Sequence, residues 1–212
     1  MLTKEQIQKN KEEFIEILRS IEREGADIEK LIAKLESSDF FYAPASIKYH
    51  HAFEGGLVDH CLNVYYNLMH LLNYKFPEGA PVSEDSVKIV ALLHDMSKMN
   101  NYEPTYSNKK VYCEDGNKQD ELGRFTWVSV PGWKVREAPD RFIFGNHEST
   151  AEFMVRQFIP LTVEESVAIL HHMGGMSWDS AKDNISEVYN KYPLGVLLHN
   201  ADMLSTYIDE RI

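Results

Sequence analysis

The sequence predicts an all-α fold: a helical bundle with an inserted β-hairpin and, at its N-terminus, a helical hairpin. Apolar residues recur at helical intervals along most of the chain, as at Leu57, Cys61, Val64 and Leu68. Residues 101–144 instead show the alternation that is typical of strands. Hydrophobic residues make up 43% of the 212 residues, which is enough for a substantial core.

Two helices are indicated at the N-terminus by their capping residues. Thr3 with Gln6 three residues later forms a capping-box pattern in front of an apolar helical face. Asp27 is the expected cap of the second helix. We therefore predict a helical hairpin over residues 1–38 that packs on the main domain, residues 39–212, or that mediates a homodimer.

The main domain should contain further helices that begin after glycines, capping residues or a proline. These helix starts are Gly56, Ser83, Gly145, Thr162 and Pro193. The last helix is expected to continue to the C-terminus.

The β-hairpin is predicted from two alternating segments. Residues 110–114 and residues 124–130 alternate in polarity, and residues 115–117 between them carry a turn signal. Such a hairpin would lie between helices that carry candidate functional residues and would cover part of a pocket formed there. Trp127 could then stack on a nucleotide base. The alternative is that the aromatic residues of the insertion cover only its own small core.

The charge of the chain limits its partners. There are 22 basic and 33 acidic residues, a formal net charge of −11. Proteins that hold nucleic-acid polymers usually neutralise many phosphates with a basic face, and this sequence has no such cluster. Long nucleic acids are therefore not expected as partners.

A cytoplasmic location is expected, without a membrane partner. No apolar run approaches the roughly 20 residues that are needed to span a bilayer, and the N-terminus lacks the apolar segment of a secretory signal. Cys61 and Cys113 lie in unrelated contexts and suit a reducing compartment.

The most informative segment is an apolar helical run, residues 89–93, that ends in His94 and Asp95. A buried carboxylate without a partner is costly, so Asp95 implies a cation or a dense hydrogen-bond network. His60 and Asp202 lie in similarly apolar helical segments. His147 and the pair His171 and His172 complete the set of candidate ligands. Imidazole nitrogens and carboxylate oxygens together suit manganese, iron, zinc, cobalt or nickel better than calcium.

The order of these residues resembles the HD-domain phosphohydrolase superfamily, in which a His, a His-Asp doublet and a distant Asp lie on different helices. Local matches occur around each residue of this pattern and around His172. They are residues 55–60, 92–98, 172–175 and 198–204. The resemblance runs from about Phe41 to the C-terminus, and the chain looks most similar to small phage and bacterial HD hydrolases and to the HD domain of exoribonucleases that trim RNA 3′ ends.

The resemblance implies a role for each matching residue. His60, His94, Asp95 and Asp202 would hold a divalent metal that activates a water for attack on phosphorus. Asp95 would also orient that water. Lys98 would face the phosphate as a fixed positive charge, because i+4 spacing on a helix would place it on the same side as His94.

Other histidines are further candidates. His147 and His172 are candidate ligands of a second metal. Similar proteins often carry that His directly after a glycine, whereas here Asn146 follows the glycine and His147 comes one residue later, which is a rotation of about 100° on a helix. One metal and two metals therefore remain alternatives. His50 and His51 are candidates for substrate contact, or for a role at the entry to the next helix.

We therefore predict a metal-dependent phosphohydrolase that cleaves phosphoester or phosphoanhydride bonds of nucleotides, with deoxynucleoside mono- or triphosphates as the expected substrates. One alternative is a 3′–5′ exonuclease or a cyclic-nucleotide phosphodiesterase. A second alternative is a non-catalytic sensor that uses the same pocket to bind a nucleotide.

Overall fold

The computed structural model describes residues 1–137, 145–176 and 184–210. This part of the chain is mostly helical and also contains a three-stranded antiparallel sheet. The helices are α1 Lys4–Arg19, α2 Ile28–Glu36, α3 Gly56–Lys75, α4 Glu84–Leu93, α5 His147–Arg156, α6 Val163–Leu170, α7 Ile185–Lys191 and α8 Pro193–Leu204. The strands are β1 Tyr102–Tyr112, β2 Lys118–Asp120 and β3 Gly123–Val135. The predicted helical bundle is confirmed in outline, but the class all-α is too narrow because of the sheet.

The N-terminal capping predictions are confirmed. The backbone N–H of Gln6 donates to Thr3 Oγ1 at 3.2 Å, and Gln6 Oε1 accepts from the backbone N–H of Thr3 at 2.8 Å, which completes the capping box of α1. Asp27 accepts from the backbone N–H of Lys30 and so caps α2. Helix α7 was not predicted, because its seven residues are too few to show a clear apolar period.

The hairpin of α1 and α2 packs on the main domain through one continuous apolar core. Phe14 contacts Phe40 and Phe41, with ring centroids 5.3 and 5.7 Å apart, and the same core includes the buried Leu57 of α3 and Leu92 of α4. The division of the chain at residue 38 stays a prediction.

Helix α3 lies at the centre of the bundle and packs against α1, α4 and α8. A second apolar core joins it to α4, α6 and α8 through Val64, Val90, Ala168 and Leu198. Because these helices meet along α3, side chains from its first turns face the C-terminal end of α4 and the last turns of α8.

The start of α3 is shaped by the paired glycines. Gly55 has a φ of +80°, and a Cβ atom there would meet the side chain of Ile7, while a Cβ atom on Gly56 would meet the carbonyl oxygen of His51. The glycines thus allow the loop that carries His50 and His51 to lie directly against α3.

Helix α4 ends earlier than the sequence suggested. Leu93 is its last residue, His94 is the C-cap, and Met96–Lys98 form one turn of 3₁₀ helix. The prediction that Lys98 follows His94 by one α-helical turn is therefore wrong, and the direction of the Lys98 side chain depends on the 3₁₀ turn.

The insertion is a sheet with strand order β1-β3-β2. Tyr102 pairs with Val135 at one end of the β1–β3 ladder and Tyr112 with Phe125 at the other. The predicted pair of strands is confirmed, but the predicted turn leads into the short β2, which pairs with the start of β3.

The sheet buries little of its own surface, since Phe125 is the one buried residue on its three strands. The end of the predicted insertion, residues 138–144, lies outside the described residues, as do the last two residues of the predicted final helix. In the ranges that are described, no helix is both long and apolar enough to cross a membrane.

Candidate metal centre

Four side chains that the sequence singled out meet at one place. His60 comes from α3, His94 and Asp95 from the end of α4, and Asp202 from α8. His60 Nε2 lies 3.3 Å from Asp202 Oδ1 and 3.5 Å from Asp95 Oδ2, and His94 Nε2 lies 3.4 Å from Asp95 Oδ2. All four residues are buried.

Backbone carbonyls orient two of the imidazoles. His94 Nδ1 lies 2.9 Å from the carbonyl oxygen of Ala91, and His172 Nδ1 lies 2.8 Å from that of Ile169. A carbonyl oxygen can only accept, so both Nδ1 atoms carry the proton. The Nε2 atoms of His94 and His172 therefore face Asp95, at 3.4 Å from Oδ2 and 3.8 Å from Oδ1 respectively.

Several buried polar atoms at this place have no hydrogen-bond partner among the described residues: His60 Nε2, His94 Nε2 and Asp95 Oδ1. Buried polar atoms are rarely left unpaired, and a missing ion is one reason why they are. Ligand atoms of His60, His94 and Asp202 lie within 4.8 Å of one another, and so do those of His94, Asp95 and His172. These residues fit a divalent cation with nitrogen and oxygen ligands.

The electrostatics of the cluster favour positive charge at its centre. Burial lowers the pKa of His60, but the carboxylates of Glu210 and Asp202 outweigh burial and raise that pKa to about 10. Burial raises the pKa of Asp202, yet His60 and His94 hold it well below its ordinary value. Burial and the neighbouring His94 lower the pKa of His172 to about 4, so its imidazole is neutral at pH 7.

Lys98 lies beside the cluster and pairs with Asp95. Its Nζ is 2.6 Å from Asp95 Oδ2, and the side chain is 14% exposed. Burial lowers the pKa of Lys98, but Asp95 outweighs burial and raises the pKa above its ordinary value. The ammonium therefore stays charged although it is largely buried.

His147 also reaches the cluster. Its Nε2 is 4.0 Å from Asp95 Oδ1, and its ring centroid is 5.2 Å from that of His172, whose Nε2 is 3.8 Å from the same oxygen. The one-residue offset in the sequence does not turn His147 away, because Asn146 caps α5 and His147 is the first residue of that helix.

A cavity of about 630 Å³ opens at the cluster. The described residues that line it include polar groups at the cluster and apolar and aromatic groups further out. They are Tyr49, His50, Asp95, Lys98, Asn101, Tyr102, His147, His172, Met173, Met176, Asp202, Met203, Thr206, Tyr207 and Glu210.

Two residues that the sequence suggested for substrate contact are not among those that line the cavity. The His51 ring turns away from it, with Nδ1 3.3 Å from Asp59 Oδ2. Trp127 packs against Phe125 and is 44% exposed, because the sheet extends away from the helices at this register. Tyr102, at the start of the sheet, lines the cavity instead.

Sequence reasoning missed Glu210, which is buried and whose Oε1 lies 3.0 Å from His60 Nδ1. Burial raises the pKa of Glu210, but His60 outweighs burial and lowers it to about 2. No periodic signal marked it, because the π-helical turn Ser205–Asp209 between Asp202 and Glu210 breaks the 3.6-residue period.

Comparisons with known proteins give one local similarity. A segment of 61 residues, 28% of this chain, is 39% identical to part of the dihydroneopterin 2′,3′-cyclic phosphate phosphodiesterase of Methanocaldococcus jannaschii. The matched segment covers 24% of that relative's length. No family model and no solved structure matches the chain.

Proposed function

We propose that this protein is a metal-dependent phosphohydrolase of the HD type that acts on a small phosphorylated substrate. One observation carries the proposal: ligand atoms from three helical segments converge within 4.8 Å, and buried nitrogens there have no hydrogen-bond partner in the described part of the chain. The local similarity to a phosphodiesterase supports cleavage of a phosphoester bond.

His60, His94, Asp95 and Asp202 would hold the metal. A divalent metal at this place would lower the pKa of a water and withdraw charge from phosphorus. His147 Nε2 and His172 Nε2 lie 4.0 and 3.8 Å from Asp95 Oδ1, so these two histidines would be the further ligands of a second metal.

Lys98 and His50 would bind the substrate. The Lys98 ammonium lies at the wall of the cavity, and its pair with Asp95 fixes its position there. It is therefore a suitable partner for a phosphate oxygen. Burial lowers the pKa of His50 to about 4, and its Nε2 is buried without a hydrogen-bond partner among the described residues. A neutral imidazole of this kind can donate to or accept from a substrate hydroxyl.

We further propose a nucleotide as the substrate, with deoxynucleoside mono- or triphosphates as the leading candidates. Tyr102, Met173 and Met203 in the cavity wall suit a flat base, since aromatic rings and thioether sulfurs both pack well on such groups. The net charge of −11 disfavours a long nucleic acid. A cyclic phosphodiester is the second candidate, supported by the named activity of the local relative.

The test is a hydrolysis panel on protein purified without chelator, with elemental analysis of the same sample. Deoxynucleoside mono- and triphosphates, 2′,3′-cyclic nucleotides and a labelled oligonucleotide are incubated with manganese, iron, cobalt, nickel or zinc. We expect metal-dependent release of phosphate, pyrophosphate or triphosphate, or opening of the cyclic ester. Stepwise shortening of the oligonucleotide would favour an exonuclease, and nucleotide binding without turnover would favour a sensor.

A matched pair of variants connects the activity to the cluster. His60→Ala should abolish turnover, whereas His70→Ala, an exposed histidine on the same helix, should leave it unchanged. Turnover by His60→Ala at the wild-type rate would refute the proposed site.

A further inference from the structure

Glu210 is an acidic side chain beside the cluster for which the proposed reaction has no role. It follows the π-helical turn Ser205–Asp209 and is 3% exposed. Its Oε1 lies 3.0 Å from His60 Nδ1 and accepts from Asn63 Nδ2 at 3.1 Å, and its Oε2 lies 3.5 Å from His51 Nδ1. Three nitrogen-bearing side chains thus surround one buried carboxylate.

Other groups already hold the turn that carries Glu210. The backbone N–H of Glu210 donates to the carbonyl oxygen of Ser205 at 2.9 Å. Asn67 Nδ2 donates to Ser205 Oγ at 2.9 Å and to Asp209 Oδ2 at 2.7 Å. The carboxylate of Glu210 takes no part in these contacts, so anchoring the turn does not explain why a charged group is buried here.

The contact with His60 has a direct consequence for the metal centre. A carboxylate can only accept, so His60 Nδ1 donates its proton to Glu210 and the ring is fixed with Nε2 towards Asp95 and Asp202. Carboxylates that accept from the distal nitrogen of a ligating histidine fix its orientation and increase its basicity. Glu210 accepts from His60 Nδ1 in this way, while His60 Nε2 faces the place where a metal would bind.

Glu210 is poorly placed to act on a substrate itself. Although it lines the cavity, Oε1 is bonded to two nitrogens and Oε2 faces His60 and His51 at 3.2 and 3.5 Å. Both oxygens thus face nitrogens of the protein.

We propose that Glu210 is a positioning residue that orients His60 and thereby sets the affinity of the cluster for its metal, with Asn63 holding the carboxylate in place. This inference depends on the proposed function only in requiring that a metal binds through His60. Glu210 would thereby link the π-helical turn Ser205–Asp209 to the metal ligand His60. The same turn contributes Thr206 and Tyr207 to the cavity wall.

The experiment measures Zn²⁺ affinity by competition with a chromophoric chelator. In Glu210→Gln the side chain keeps an oxygen that can accept from His60 but loses its charge. We expect Zn²⁺ affinity to fall about 10- to 100-fold, as is usual for such supporting carboxylates. The matched control is Asp209→Asn, which removes an exposed charge from the same turn, keeps an oxygen that can accept from Asn67, and should leave the affinity unchanged.

Two further variants distinguish positioning from a purely structural role. Glu210→Asp keeps the charge and should recover part of the lost affinity. Asn63→Ala keeps the carboxylate but removes one of its donors, so we expect a loss that is several-fold and smaller than that of Glu210→Gln. A structural role alone would instead lower the melting temperature of the metal-free protein and leave the Zn²⁺ affinity of the folded fraction unchanged.

The outcomes separate this inference from the proposed function. If wild-type protein binds no Zn²⁺, both fail. If wild type and Glu210→Gln bind it equally while both are folded, only the positioning role fails. Should Glu210→Gln not fold, unchanged affinity in both Asn63→Ala and Glu210→Asp would overturn the inference.

Discussion

Asp95 and Lys98 form a largely buried ion pair, with 2.6 Å between Asp95 Oδ2 and Lys98 Nζ. The other oxygen, Oδ1, lies 4.0 Å from His147 Nε2 and 3.8 Å from His172 Nε2. The two oxygens of Asp95 thus face different partners. Lys98 can reach Oδ2 because α4 ends at Leu93 and the 3₁₀ turn after it brings Lys98 close to Asp95. Asp95 is thus the side chain that connects all parts of the cluster.

Asp95→Asn should therefore have the largest effect of any single isosteric change. It removes the charge that faces Lys98 and the histidines while keeping the volume of the side chain. We expect hydrolysis to fall by more than about 100-fold, since even groups that only support a ligand are worth about 10- to 100-fold. Phosphate release and metal content, measured on one sample, check this, with Asp120→Asn on the exposed sheet as the control. Wild-type turnover and metal content in Asp95→Asn would contradict it.

Lys98→Gln should separate substrate binding from metal binding. The ammonium faces the cavity, and a hydrogen bond to a charged group contributes about 1.5–3 kcal/mol, so we expect kcat/KM to fall by about 10- to 100-fold. Metal content should stay at the wild-type level. Inhibition by inorganic phosphate should weaken in parallel, whereas Lys109→Gln, on the exposed part of β1, should change neither quantity. Loss of the metal in Lys98→Gln would argue against a role at the phosphate.

The sequence alone pointed to four residues of the cluster that lie within helices or just after the end of one. His60, His94, Asp95 and Asp202 were recognisable because ligand-type side chains stand out in runs that are otherwise apolar enough for a core. Periodicity predicted the helices that carry these residues or end beside them, and the resemblance to the HD superfamily selected the four as one set.

Other parts of the site depend on geometry that periodicity does not contain. The contact between Glu210 and His60 joins residues that are 150 positions apart, across a π-helical turn that breaks the 3.6-residue period. The position of Trp127 depends on where the sheet leaves the body of the protein. Alternation identifies which residues share a face of a strand, but it does not give the direction of the sheet.

Removing the metal should destabilise the protein. His60 Nε2 and His94 Nε2 are buried there without a hydrogen-bond partner among the described residues, and a metal that binds them in the folded state alone stabilises that state. A ligand at 100 times its Kd stabilises the folded state by about 2.7 kcal/mol. We expect chelator to lower the Tm and added manganese to restore it, as measured by calorimetry. His60→Ala should lose this response, and equal Tm values with chelator and with manganese in the wild type would contradict the proposed centre.

A buried carboxylate outside the cluster gives a prediction about acid stability. Glu165 of α6 is fully buried and accepts from Arg23 at 2.5 and 2.9 Å, from Ser86 Oγ at 2.6 Å and from the backbone N–H of Thr162 at 2.7 Å. Burial raises the pKa of Glu165, but these hydrogen bonds outweigh burial and lower it below its ordinary value.

Glu165→Gln should destabilise the protein at neutral pH and much less in acid. A carboxyl whose pKa is lower in the folded state contributes its full stabilisation above its unfolded pKa, about 4.3, and loses it as the pH falls through the folded value. At pH 7 we expect a loss of roughly 3 kcal/mol, because the variant leaves Arg23 without its charged partner. Urea unfolding of wild type and variant at pH 7 and pH 3 measures this difference. Glu29→Gln, which removes an exposed partner of Arg19, should show little change at either pH, and a wild-type advantage that grows at pH 3 would contradict the argument.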